Sequence, residues 1–239
     1  MNKTAIIIPS HLAAKRLPNK PLLKINNKSM ILHVWERANK STVNDVFVAT
    51  SDEEIEREIK SNGGNVILTG KHHTTGSDRI YEALEIIDSE YEIIINVQGD
   101  MPNINPETIN MINNFMISNT NVSVSTVASR LIEEELNDVN VVKAITLNDL
   151  KKNKFSKALD FVRSVTNEQF YYHHIGLYAY KRDILSNFVK LKKTYNEKNR
   201  SLEQMRFIDH NIDIFVGYTD DNPLSIDTKK DLEKIRKIL

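Results

Sequence analysis

The chain has 239 residues, of which 40% are hydrophobic and 27% charged, a composition ordinary for a soluble globular protein with a full core. Its 32 basic and 32 acidic residues balance, which argues against nucleic-acid binding as its main task, because such proteins usually carry a basic excess. The lack of cysteine excludes a disulfide scaffold, a thiolate nucleophile and a zinc–thiolate site. Since no apolar run is long enough to cross a membrane, we expect a cytoplasmic protein with no membrane partner.

The first half of the chain alternates strand-like and helix-like stretches. Residues 4–9 form a short apolar run rich in isoleucine, which is typical of a strand buried on both faces. Further strands are predicted at 45–50, 65–69, 92–97 and 122–128, and helices at 29–40, 52–61 (with Asp52 as N-cap), 78–87 and 106–117. This order predicts an α/β fold with a mostly parallel, twisted sheet and helices on both faces.

The regular alternation of predicted strands and helices stops after residue 128. Strands predicted at 139–147 and 170–180, separated by a polar, lysine-rich stretch at 151–157, indicate an inserted antiparallel element on the same sheet. A helix at 202–210, a strand at 212–217 and an amphipathic helix at 228–239 complete the chain, the last with Leu232, Ile235 and Ile238 facing inward. We predict a single domain over residues 1–239, in which about 140–200 form the inserted element.

Basic residues follow the first predicted strand. In open α/β sheets, ligands bind beyond the carboxyl ends of the strands, so this position is a candidate site. Lys15, Arg16 and Lys20 lie close together here, and their cationic groups suit phosphate oxygens. The loop lacks the glycines of a P-loop or a dinucleotide-binding loop. From spacing alone, a solvated basic loop is an equally good interpretation.

Two aspartates are candidate metal ligands. Asp100 follows the fourth strand directly after Gly99, where a carboxylate is well placed to hold Mg²⁺. A role in capping the following turn explains the same residue. Asp227 stands at the start of the last predicted helix, where an N-cap is the commoner role for an aspartate.

Two histidine-containing segments are also candidates. We interpret His72 and His73 as part of a polar turn that leads into a helix rather than as a metal site, because no histidine pair is spaced i, i+4 on a helix. His174 and Tyr178 are an even number of residues apart in a strand, so they share a face. They suit hydrogen bonding to a polyhydroxy ligand, although ordinary sheet residues would show the same spacing. Together with the basic loop and Asp100, these signals favour nucleotidyl transfer.

Motifs in a fixed order span nearly the whole chain. They are the loop at 8–22 (IPSHLAAKRLPNKPL), then HTTGSDR at 73–79, NVQGDMP at 96–102, HHIGLYAYK at 173–181, LEQMR at 202–206 and IDTKKDL at 226–232. These motifs resemble those of the 3-deoxy-manno-octulosonate cytidylyltransferases, also called CMP-Kdo synthetases.

The resemblance implies a homodimeric α/β enzyme that makes CMP-Kdo and pyrophosphate from CTP and 3-deoxy-D-manno-octulosonate (Kdo), an acidic 3-deoxy sugar, for lipopolysaccharide synthesis. It implies catalytic roles for Lys20, Asp100 and Asp227, with Mg²⁺ held by the two aspartates. The CTP-binding residues it implies are Arg16, Lys20, His73, Gly76, Ser77 and Arg79. The sugar-binding residues it implies are Gln98, Arg163, His174, Tyr178, Glu203 and Gln204. The inserted element would serve sugar binding and dimerisation.

Several departures from the family pattern leave alternatives open. His11 stands where the family usually has arginine, so one phosphate contact would be weaker or pH-dependent. The other departures are Asn19 in place of a glycine, Met101 in place of a glutamate, and residues 223–225 in place of a glycine-rich segment. The acceptor is therefore Kdo, 8-amino-Kdo or another acidic sugar. A non-catalytic nucleotide-binding descendant and a glycosyltransferase are competing hypotheses, although Asp220 and Asp221 lack the Asp-x-Asp spacing typical of the latter.

Overall fold

The computed structural model of the chain describes residues 3–14, 16–87, 90–165 and 170–239. Contacts divide the chain into two compact units, one formed by Met1–Asn110 with Pro223–Leu239 and the other by Met111–Asn222. The predicted inserted element at 140–200 lies within the second unit. In the part of the chain that the structure describes, no helix has both the length and the apolar character needed to cross a membrane.

The strands and helices are numbered in chain order. The strands are β1 (Lys3–Ser10), β2 (Lys24–Ile25), β3 (Lys28–Ser29), β4 (Asp45–Thr50), β5 (Asn65–Leu68), β6 (Tyr91–Asn96), β7 (Val124–Arg130), β8 (Lys143–Thr146), β9 (Phe155–Val162), β10 (Phe170–Lys181) and β11 (Ile214–Tyr218). The helices are α1 (Met30–Ala38), α2 (Glu53–Ser61), α3 (Gly76–Ile86), α4 (Pro106–Ser118), α5 (Leu150–Asn153), α6 (Arg182–Phe188), α7 (Tyr195–Arg200), α8 (Met205–Asp209) and α9 (Lys229–Ile235).

The first unit is built on four parallel strands in the order β5-β4-β1-β6. Ile6, Ile7 and Ile8 of β1 are fully buried, as expected for a strand inside a parallel sheet. Helices α1, α2 and α3 pack against these strands. Side-chain caps define where two of these helices begin, since Ser29 Oγ accepts the Leu32 N–H at 3.3 Å and Thr75 Oγ1 accepts the Asp78 N–H at 3.1 Å. The predicted parallel part of the α/β fold is confirmed.

The last helix belongs to the same unit. Leu232 and Ile235 of α9 pack in a buried cluster with Leu17, Met30 and other apolar side chains, so their predicted inward position is confirmed. The prediction for Ile238 is wrong, because this side chain is 54% exposed. The helix ends at Ile235, and the 3.6-residue period that assigned Ile238 to the inner face does not hold beyond that residue.

The second unit contains the strands β10-β7-β11-β9-β8 in that order, and β8 also pairs with β10, so the pairings form a closed ring. The β7–β11 pair is parallel and the other pairs are antiparallel. The long strand β10 closes the ring because its first four residues, 170–173, pair with β8 and most of its length pairs with β7. The predicted antiparallel element is confirmed here.

The prediction of a polar connection at 151–157 is wrong. This stretch contains the end of α5 and the start of β9. Along β9, Ser156, Ala158 and Phe161 are buried while the intervening side chains are more exposed, so Lys157 lies on the outer face of a strand rather than in a loop. The short helices α6 and α7 have no counterpart among the predicted elements.

A fully buried lysine lies in the second unit. The Lys143 ammonium group donates hydrogen bonds to three backbone carbonyls, those of Asp138 at 2.7 Å, Val141 at 2.9 Å and Arg163 at 2.9 Å. Burial lowers the pKa of Lys143, against the opposing charges of Asp138 and Glu135. The three carbonyl acceptors satisfy its donors and make this burial tolerable.

Candidate active site

A cavity of about 370 Å³ opens in the first unit at the carboxyl ends of β1 and β6. Its walls come from the loop after β1, the turn that leads into α3, the residues after β6, and Asp227 just before α9. The predicted site residues that line it are Arg16, Lys20, His73, Gly76, Arg79, Gln98, Asp100 and Asp227. Ser77, predicted to bind CTP, lies in the first turn of α3, is 3% exposed and does not line the cavity.

Lys20 joins the two candidate metal carboxylates. Its ammonium nitrogen lies 2.7 Å from Asp100 Oδ2 and 3.2 Å from Asp227 Oδ1. The Lys20 side chain is 15% exposed, and its burial opposes the charged form, but the two carboxylates outweigh that effect and raise the pKa of Lys20. Lys20 therefore carries a firmly held positive charge on the wall of the cavity, and the interpretation of a solvated loop does not apply to it.

Arg16 brings a second cation to the same group. Its Nη2 lies 2.9 Å from Asp227 Oδ2, and its side chain is 66% exposed. Arg16 is thus free to reorient toward a ligand, because an exposed ion pair is worth only about 1 kcal/mol or less. Lys15, the third basic residue predicted for this loop, lies outside the described residues.

Asp227 is not the N-cap that its position suggested. Thr228 takes that role, since its Oγ1 accepts the Asp231 N–H at 3.3 Å while Asp231 Oδ2 accepts the Thr228 N–H at 2.8 Å. This capping box releases the Asp227 carboxylate to face the cavity. The Ile226 N–H donates to the carbonyl oxygen of Asp100 at 3.0 Å, which holds the two aspartate segments side by side.

Asp52 anchors the loop after β1. It occupies the N-cap position of α2 as predicted, but its side chain makes no capping hydrogen bond. Instead, its Oδ2 accepts the Leu12 N–H at 2.9 Å, across 40 residues of sequence. Asn19 lies further along this loop with φ of 55°, a left-handed conformation that asparagine tolerates better than most residues, which explains how it replaces a glycine there.

A close backbone approach fixes the position of Asp100. A Cβ atom at Gly99 would lie 2.9 Å from the carbonyl oxygen of Pro9, so only glycine fits between the end of β1 and the residues after β6. The neighbouring Gln98 donates to Asn96 Oδ1 at 3.0 Å. Asp100 therefore follows a backbone segment that is packed directly against β1.

Arg79 and His73 form the wall beside α3. The Arg79 guanidinium is 4% exposed and donates to Thr69 Oγ1 at 2.5 Å and to the Gly70 carbonyl at 3.3 Å. Burial lowers the pKa of Arg79, although Asp52 and Glu82 oppose this, and an arginine stays charged at neutral pH. His73 contacts the Glu82 carboxylate through Nε2.

His11 lies in the same cavity. It stands where the family motif that this loop resembles usually has arginine. Burial lowers the pKa of His11, and the charges of Arg79 and Lys20 lower it further, while Asp52 opposes them. His11 is therefore mainly neutral at neutral pH, so it offers a hydrogen bond to a phosphate without the positive charge of an arginine.

The other predicted sugar-binding residues belong to the second unit. His174 and Tyr178 share a face of β10, with ring centroids 5.5 Å apart, as predicted. Burial, followed by the charge of His173, lowers the pKa of His174 to about 3, and burial raises that of Tyr178. Both side chains are thus neutral at physiological pH. Thr126 Oγ1 lies 3.0 Å from His174 Nε2 and orients the imidazole.

Arg163, Glu203 and Gln204 lie elsewhere in this unit. Arg163 donates to the carbonyl oxygens of Val139 at 2.7 Å, Arg200 at 3.0 Å and Ser201 at 3.1 Å. Gln204 is 8% exposed and immediately precedes α8, and the charge of Glu203 acts on Tyr178. The sugar-binding roles of these residues stay predictions.

Two residues that organise the cavity were not among the predicted site residues. Asp52 anchors the loop after β1, and Glu82 holds both His73 and the Gly70 N–H, the latter at 2.8 Å. Asp52 follows the end of β4, so the rule that ligand sites lie after parallel strands gave a signal for it. Glu82 gave no such signal, because it lies inside a helix.

Comparisons of the sequence with known proteins find similarity to cytidylyltransferases. A family model described as cytidylyltransferase matches residues 5–214. A 3-deoxy-manno-octulosonate cytidylyltransferase from Bartonella henselae is 42% identical over 98% of this chain and 97% of its own length. One from Paramagnetospirillum magneticum is 38% identical over 98% of this chain and 96% of its own.

A comparison with solved structures finds enzymes of similar fold. The structure of a CMP:2-keto-3-deoxy-manno-octonic acid synthetase complexed with CTP has a TM-score of 0.92 and 33% identity, covering 99% of this chain and 98% of its own. A 4-diphosphocytidyl-2C-methyl-D-erythritol synthase from Anaerococcus prevotii has a TM-score of 0.69 and 12% identity, covering 99% of this chain and 96% of its own, and is similar in fold alone. The predicted α/β nucleotidyltransferase fold is confirmed.

Proposed function

The chain belongs to the family of 3-deoxy-manno-octulosonate cytidylyltransferases, and from that premise we propose that it transfers CMP from CTP to Kdo and releases pyrophosphate. The observation that carries the proposal is the group formed by Lys20, Asp100, Asp227 and Arg16 on one wall of the cavity. Two cations and two carboxylates at the carboxyl ends of parallel strands suit a nucleoside triphosphate with its metal ion.

We propose that Asp100 and Asp227 hold Mg²⁺. Their donor atoms fit this ion, because Mg²⁺ takes hard oxygen ligands and is usually bound by one or two carboxylates together with substrate phosphates. Both carboxylates reach the Lys20 ammonium nitrogen, so they converge on one region of the cavity. Bound there, Mg²⁺ would reduce the negative charge on the α-phosphate and favour attack on it.

The protein's own groups then have defined tasks. The anomeric hydroxyl oxygen of the sugar forms a bond to the α-phosphorus of CTP while the bond from that phosphorus to pyrophosphate breaks, and the hydroxyl proton is lost. Such transfer depends mostly on positioning and on charge stabilisation. Lys20 and Arg16 would leave their aspartate partners for phosphate oxygens and stabilise the charge on pyrophosphate. His73, Gly76 and Arg79 would form the nucleoside end of the site.

Of the residues that the family resemblance assigns to the sugar, Gln98 lies in the first unit, and Arg163, His174, Tyr178, Glu203 and Gln204 lie in the second. Neutral His174 and Tyr178 suit hydrogen bonds to sugar hydroxyls better than ion pairs. Three of the five N–H donors of Arg163 bind backbone carbonyls, so at most two remain for the sugar carboxylate. The family resemblance also supports a homodimer that works in the cytoplasm on lipopolysaccharide precursors.

The choice of sugar is tested by a panel of acceptors. Purified protein with CTP and Mg²⁺ is given Kdo, 8-amino-Kdo or a sialic acid, and pyrophosphate release is measured for each. We expect the highest kcat/KM with Kdo. A higher value with 8-amino-Kdo would reassign the acceptor while leaving the reaction class unchanged. If protein that still binds CTP released no pyrophosphate with any of the three sugars, the result would favour a non-catalytic descendant and contradict the proposal.

A further inference from the structure

A second group of metal-binding side chains lies beside the cavity. His72 and His73 precede α3, and Glu82 lies within it. One ligand atom from each of the three side chains lies within 4.8 Å of the others. Over residues 3–14, 16–87, 90–165 and 170–239, this is the only group of three or more histidine, cysteine, aspartate or glutamate side chains that meets this distance. It is separate from the oxygen ligands Asp100 and Asp227.

Direct contacts hold the group together. His73 Nε2 contacts Glu82 Oε2, and the rings of His72 and His73 have centroids 4.3 Å apart. Glu82 Oε2 also accepts the Gly70 N–H at 2.8 Å, which fixes the carboxylate from outside the group. A Cβ atom at Gly70 would lie 2.5 Å from His72 Nδ1, so the His72 ring lies over the space that this glycine leaves open.

The chemistry of the three ligands selects a class of metal ion. Two imidazoles and one carboxylate are a ligand set that Zn²⁺ uses, with a fourth position left for water, whereas Mg²⁺ prefers oxygen ligands alone. His72 is exposed, which gives an ion a path of entry.

We propose that His72, His73 and Glu82 bind a Zn²⁺-type ion that links the turn before α3 to the helix itself. Because His73 lines the cavity, the ion would fix this part of the cavity wall. The proposal departs from the sequence interpretation, which favoured a polar turn over a metal site because no histidine pair is spaced i, i+4 on a helix. The third ligand, Glu82, comes instead from the helix that the turn begins. The proposal concerns metal binding and stability, and it does not depend on the proposed reaction.

The experiment measures Zn²⁺ affinity of the full chain by competition with a chromogenic chelator. Millimolar Mg²⁺ is kept present to occupy oxygen-only sites. We expect one tightly bound Zn²⁺ in the wild type. His72→Ala and Glu82→Gln should each weaken binding at least about tenfold, since even changes outside the ligand shell cost about 10–100-fold. His210→Ala, which removes an exposed histidine from the second unit, should leave the affinity unchanged.

Two further measurements separate a specific site from a structural effect. Zn²⁺ should raise the Tm of the wild type and of His210→Ala but not that of His72→Ala, whose metal-free Tm should match the wild type. Gly70→Ala keeps all three ligands but takes the space of the His72 ring, so it should also weaken binding. Equal Zn²⁺ affinity in the wild type and His72→Ala, or loss of binding in His210→Ala alone, would overturn the proposal.

Discussion

Replacing Asp100 with asparagine should lower kcat by about a thousandfold, with CTP and Kdo both saturating. The amide keeps the shape of the side chain but removes the negative charge that faces Lys20 at 2.7 Å and that we assign to Mg²⁺. Loss of one electrostatic group aimed at the reacting atoms typically costs about 10²–10³ in kcat. Steady-state pyrophosphate release over a range of Mg²⁺ concentrations is the measurement.

The matched control is Asp213→Asn. Asp213 makes a surface ion pair with Lys157 at 2.7 Å in the second unit, and such a pair contributes about 1 kcal/mol or less, so turnover should be unchanged. If Asp100→Asn retained turnover within tenfold of the wild type at every Mg²⁺ concentration, the catalytic role given to Asp100 would be wrong.

Replacing Glu197 with glutamine should lower the free energy of unfolding by about 3–5 kcal/mol. Its carboxylate receives Arg206 Nε at 2.7 Å and Nη2 at 2.5 Å, and the two side chains are only 7% and 4% exposed. Glutamine removes the nearer counter-charge of the buried arginine and leaves only the Glu203 carboxylate, whose Oε1 lies 3.7 Å from Arg206 Nη2. The guanidinium also lies 4.4 Å above the ring of Phe188, so it has little room to move toward water.

Urea unfolding followed by circular dichroism measures this loss, and Glu56→Gln is its control. Glu56 pairs with Lys60 at 2.7 Å on the surface of α2, a contact for which about 0.5 kcal/mol or less is expected. Similar losses of unfolding free energy in both variants would show that the buried Glu197–Arg206 pair stabilises the protein no more than a surface pair does.

The first unit could be predicted from sequence because its signals are local. Each parallel strand is a short apolar run such as Ile6–Ile8, and breaks or caps such as Thr75 separate strand from helix. The strand β9 was missed because it follows a lysine-rich stretch and carries Lys157 on its outer face, and because one of its pairing partners, β11, comes from a distant part of the sequence. Long-range pairing, rather than local propensity, determines that strand.

The candidate site was predicted in part for the same reason. Rules for strand ends pointed to Arg16, Lys20 and Asp100, and the cavity brings them together. That Lys20 bridges Asp100 and Asp227 could not be predicted, since the last contact spans 207 residues of sequence. The N-cap interpretation of Asp227 failed because the next residue, Thr228, forms a better cap with Asp231.

The most direct test of the proposed reaction is phosphorus NMR of the wild-type protein with CTP, Mg²⁺ and Kdo. The proposal predicts a phosphodiester signal from CMP joined to Kdo and an equal amount of pyrophosphate, with neither in the absence of sugar. Protein that binds CTP yet forms no phosphodiester with Kdo, or that releases pyrophosphate while leaving free CMP, would contradict the assignment of this chain as a Kdo cytidylyltransferase.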